Sequence, residues 1–133
     1  MGFKMPAGTA IRLRPRQLQW LLRLFAVGLF FAAGYHLVAI FNGAPSVGRH
    51  ALFVAINLVF ACGFLRPWPG FAVLVAVLCV QQFLSHGGTL VRVLRTENRL
   101  DWPSVVVLIT MPLALAVTVL DARRRRATSR TEV

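Results

Sequence analysis

Negative charge is scarce in this chain. Four of its 133 residues are Asp or Glu, against fifteen Lys and Arg, and fourteen of those fifteen are Arg. Charge of either sign is also thin, at 14% of residues, where a soluble domain carries about 25%. Long stretches therefore have nothing to hold them in water. Cysteine is limited to Cys62 and Cys79, each inside an apolar run and without CxxC spacing. That excludes a dithiol redox motif and a Cys-ligated zinc site, and leaves both as small apolar packing residues. No GxSxG or HExxH pattern occurs, so hydrolase and zinc-protease chemistry has no carrier. The formal net charge of +11 would suggest nucleic acid in a soluble protein. Here the arginines flank apolar segments rather than forming a stripe on a polar domain, so nucleic acid is excluded as a partner.

What is present is apolar: 57% hydrophobic residues and a mean hydropathy of +0.68. About 18 uncharged apolar residues suffice to cross the hydrocarbon, and four such segments are predicted, over residues 18–41, 49–65, 71–90 and 102–120. The first is too long for a signal-peptide core and is read as a retained helix. Arg23 sits one turn inside it and can snorkel to the interface, where Trp20 also belongs. "NGAPSVG", Asn42 to Gly48, and "RPWPG", Arg66 to Gly70, read as turns. Gly87-Gly88 is expected to bend or end the third span, with "VRVLRTENRLD" after it as a polar connection or a short amphipathic interfacial helix. Pro112 lies inside the fourth span, where its missing N–H is expected to bend the helix.

The expected fold is all-α: an integral membrane protein with four transmembrane helices in an antiparallel up-down bundle. Residues 1–17 and 121–133 flank the membrane domain 18–120 as basic tails. Ten Lys and Arg fall on the side of the two tails and the 66–69 loop, against four on the other side, Arg49, Arg92, Arg95 and Arg99. The positive-inside rule then places both termini in the cytoplasm, with the inner membrane as the location.

With that orientation the polar residues form a layer in the outer leaflet. His36 is near the outer end of span 1, His50 opens span 2, His86 closes span 3, and Asp101 precedes span 4. Asn57 shares a face with His50, seven residues on, and Gln82 shares one with His86, four residues on. Gln81 and Ser85 make a parallel pair on the neighbouring face. Polar side chains in lipid are costly unless they face a bundle interior or a wet cavity. His36, His50, Asn57, Gln82, His86 and Asp101 are therefore the candidate site.

Three readings of the layer are open. The residues can hydrogen-bond one another and lock helix register. They can line a pocket for a small polar ligand or lipid headgroup, with His86 and Asp101 as a carboxylate–histidine pair. Or His36, His50 and His86 can ligate a metal or haem, although no i,i+4 His pair marks such a site. No cofactor is required by the sequence. Small-residue faces, Ala51, Ala55 and Cys62 on span 2 and Gly28 and Ala32 on span 1, offer close helix approach within the bundle or against another subunit. In size and span count the chain resembles small bacterial four-helix membrane proteins such as the DoxX-like group, and its Arg-, Ala- and Val-rich usage suits a GC-rich bacterium. The expected role is non-enzymatic: an accessory or structural subunit in the lipid bilayer, associated with other membrane subunits or with itself. The alternative is a metal- or haem-binding redox component.

Overall fold

The computed structural model describes residues 14–131, and all regular structure in it is helical: α1 Pro15–Phe41, α2 Val47–Leu65, α3 Phe71–Glu97 and α4 Trp102–Thr131. All four helices are long and apolar enough to cross a membrane, which marks the chain as a membrane protein. The N-terminal tail before Arg14, with Lys4 and Arg12, lies outside the described residues.

Local chemistry sets most boundaries. α1 begins at Pro15, whose fixed φ suits the first helical position. The Arg14 N–H, one of the donors an N-terminus leaves unpaired, donates to Gln17 Oε1 at 2.8 Å. The turn after α1 uses Gly43 at φ +71° and Ser46 at φ +69°. Gly70 at φ +86° leads into α3, and Asn98 in the left-handed region ends it, as Asn does at many helix C-termini.

Two boundaries differ from the sequence expectation. α3 passes straight through Gly87-Gly88 and runs to Glu97, about 40 Å in all. Neither glycine has positive φ. The apolar pattern also continues past them, with Val93 buried, so the polar connection is the last turns of α3 and the chain does not turn at the glycines. α4 continues through Arg123–Arg126 to Thr131, about 45 Å. Ala and Arg are good helix formers, and Asp121 and Arg125 make an i,i+4 ion pair at 2.6 Å along the extension. Pro112 is accommodated inside this helix.

The helices associate mainly as two pairs, α1 with α2 and α3 with α4, joined by a smaller seam between α1 and α4. One apolar core is shared by all four: Leu18, Leu22 and Ala26 of α1, Ala61 and Phe64 of α2, Phe71 and Val75 of α3, Ala114 and Val117 of α4. Its centre is Phe71, fully buried and ringed by Phe60, Phe64 and Trp68 with centroids 4.8–5.9 Å away. Gly63 makes this possible, because a methyl group there would overlap the Phe71 ring. We call this the Phe71 end. Ala51, Ala55 and Cys62 are turned outward. The close approach within the chain uses Ala61 and Gly63 instead.

Candidate functional site

The opposite end carries the histidines, and here the two helix pairs are built separately. His36 lies five residues before the end of α1 and His50 is the fourth residue of α2, so the short turn sets them face to face. Their Nδ1 atoms are 2.9 Å apart. One ring must donate there and the other accept, which requires opposite tautomers across the contact. Phe53 stacks on His36 with centroids 5.0 Å apart, and Tyr35 meets its edge.

The second cluster joins α3 to the start of α4. Ser104, 1% exposed, donates to Asp101 Oδ2 at 2.5 Å, and its oxygen is 3.0 Å from His86 Nδ1. A serine has one proton, already given to the carboxylate, so the His86 contact needs the proton on Nδ1. Asp101 immediately precedes α4, where a carboxylate suits the positive helix terminus. Its backbone carbonyl accepts from the Val105 N–H at 3.1 Å. The geometry also fixes the loop. His86 is eleven residues, about 16 Å, before the end of α3. To meet Ser104, the third residue of α4, residues 98–101 must run back along the last turns of α3.

The candidate residues are thus gathered into two sets, His36 with His50 and His86 with Asp101, the second bridged by a serine. Among the described residues no group of three or more His, Cys, Asp or Glu is placed to hold a metal ion. Asn57 and Gln82 are half-buried on the inward stripes of α2 and α3. Asn57 shares its stripe with His50, Ala61 and Phe64, and Gln82 shares its own with Val75, Cys79 and His86. Both amides are near mid-helix, and neither makes a hydrogen bond among the described residues.

Gln81 and Ser85 are different. They are exposed and belong to a shallow groove on the outer face of α3, with Ala76, Val77, Val80 and Leu84. Gln81 is ten residues, about 15 Å, from the start of α3.

Two buried polar positions were not evident from residue type alone. Ser104 is one; its signal is the D-x-x-S spacing, Asp101 to Ser104, at a helix start. Asp121 is the other. It is 6% exposed at the far end of the molecule, inside a segment that reads as a basic tail. Its signal is the i,i+4 spacing to Arg125. No family model matches the chain, and neither a curated protein nor a solved structure matches it.

Proposed function

We propose that this chain is a non-enzymatic subunit of a membrane complex: an antiparallel four-span scaffold of the inner membrane, both termini cytoplasmic, that docks a partner's transmembrane helix on the outer face of α3. The observation that carries this reading is Gln81. Inward polar groups at the histidine end satisfy one another, His36 with His50 and His86 with Ser104 and Asp101, and so act as register clamps. Gln81 faces outward near the middle of α3 and makes no hydrogen bond among the described residues; in the hydrocarbon, lipid would offer it neither donor nor acceptor. A neighbouring helix with a polar group at that depth supplies both, and Ala76 and Ser85 let it approach closely. Ten basic residues on one side against four on the other support the orientation.

The test is size and composition of the complex in mild detergent, for wild type and Gln81→Leu. Wild type is expected to run as a complex of fixed stoichiometry, with itself or with a second membrane protein, and Gln81→Leu as the 14.7 kDa chain alone. A monomeric wild type, or a complex indifferent to Gln81→Leu, overturns the docking face.

One observation favours a second reading. The facing Nδ1 atoms of His36 and His50, 2.9 Å apart, are within reach of a single metal ion at about 2.0–2.1 Å from each nitrogen. On that reading the chain is a metal-binding component using two histidines, with solvent or a partner completing the coordination. Metal retained stoichiometrically by wild type and lost in His36→Phe would establish it.

A further inference from the structure

The Phe71 end carries a second polar assembly that the docking reading does not use. Two cavities, of about 390 and 140 Å³, share Gln19 and Arg125 in their walls. The first is completed by Asp121, Arg124, Thr128 and Ser129. The second passes beneath Arg23 onto Leu22, Phe64, Leu65 and Pro67. Together they form a largely polar groove where the start of α1, the α2–α3 turn and the end of α4 meet, with the exposed side chain of Leu65 at its edge. We propose that this groove holds one anionic phospholipid, with its phosphate between Arg23 and Arg125 and an acyl chain running out over the exposed Leu65.

Three features carry the proposal. Asp121, 6% exposed, occupies Nε of Arg125 at 2.6 Å. That fixes the guanidinium at the groove and leaves its two terminal nitrogens for a further acceptor, the fork geometry that suits a phosphate. Among the described residues Asp121 is the one acidic group in the walls, and its charge is already met by Arg125. Arg23, on the facing helix, touches no acid among the described residues. Its guanidinium is 5.7 Å over the Trp20 ring, an interfacial arrangement. The local charge is also unbalanced: Arg23, Arg66 and Arg123–Arg126 face the single Asp121 at this end of the described chain. The surplus favours an anion, and the exposed apolar surface of Leu65 beside the groove favours one that carries hydrocarbon. The same arginines without that hydrocarbon contact would take free phosphate, so the experiment separates the two.

The full chain is placed in nanodiscs of phosphatidylcholine with a minor fraction of phosphatidylglycerol, released, and weighed by native mass spectrometry. Wild type is expected to keep one phosphatidylglycerol. Arg125→Gln, and more strongly Arg23→Gln with Arg125→Gln, lowers occupancy about tenfold or more. Arg126→Gln, which removes the same charge but lines neither cavity, keeps the lipid. Asp121→Asn weakens retention although it makes the patch more positive, a sign that a diffuse basic surface would reverse. Circular dichroism of each variant confirms that the helices remain. Equal loss from Arg125→Gln and Arg126→Gln, tighter binding in Asp121→Asn, or no preference over phosphatidylcholine overturns the proposal. So does thermal stabilisation by inorganic phosphate alone equal to that by phosphatidylglycerol, which would assign the groove to the free anion. None of these readouts depends on Gln81, so the two proposals fail separately.

Discussion

The Phe71 end and the histidine end of this molecule are held together by different physics. At the Phe71 end all four helices contribute to one apolar core, and the key contact is a phenylalanine ring lying against a glycine. At the histidine end each helix pair is closed by its own hydrogen-bonded clamp. Lipid tails are as apolar as leucine, so burial from water does not drive helices together there. Close van der Waals packing and polar pairs must do it. Packing of that kind sums over many atoms, whereas a polar pair in a membrane is worth only about 0.6 kcal/mol on average. The comparison therefore makes the Phe71 end the anchor of the fold and the histidine end its adjustable part.

Substitutions can break or sharpen this contrast. Phe71→Ala empties the centre of the shared core and is expected to cost about 3–5 kcal/mol, the largest effect of any single change, read by thermal or steric-trap unfolding in detergent. Gly63→Ala pushes a methyl into the same ring from the other side, with an expected loss of about 1–3 kcal/mol by the same measurement. Ser104→Ala leaves His86 and Asp101 without their bridge and should cost about 1 kcal/mol, with about 1.7 as a ceiling. His36→Phe keeps the stacked shape against Phe53 and removes one hydrogen bond, an expected change of about 0.6 kcal/mol. A histidine-end variant that destabilises as much as Phe71→Ala would erase the distinction between the two ends.

Much of the architecture was legible in the residue order. Four apolar runs separated by "NGAPSVG" and "RPWPG" could only be four helices, because a backbone in lipid must satisfy its own hydrogen bonds. His50 and Asn57, and His86 and Gln82, do share inward stripes, since helical spacing fixes which residues lie on one face. The reading failed where a local signal met a longer-range one. Gly87-Gly88 looks like a stop, but a glycine costs a helix only about 1 kcal/mol, and α3 carries on to Glu97, past the start of α4. The arginine run looks like a tail, yet the helix persists through it with Asp121 buried at its base. Small residues at 51, 55 and 62 suggested a packing face, and the neighbours chose Ala61 and Gly63.

The sequence by itself determined the solvent, the number of helices and the face on which each polar residue sits, because these follow from composition and a fixed rise and twist per residue. Only the tertiary structure decided which faces meet. One layer of three histidines became two separate clamps because α1 pairs with α2 and α3 with α4, and no spacing along a single helix encodes its neighbour. The same choice of neighbours brought Arg23 and Arg125, more than a hundred residues apart in the chain, to one groove.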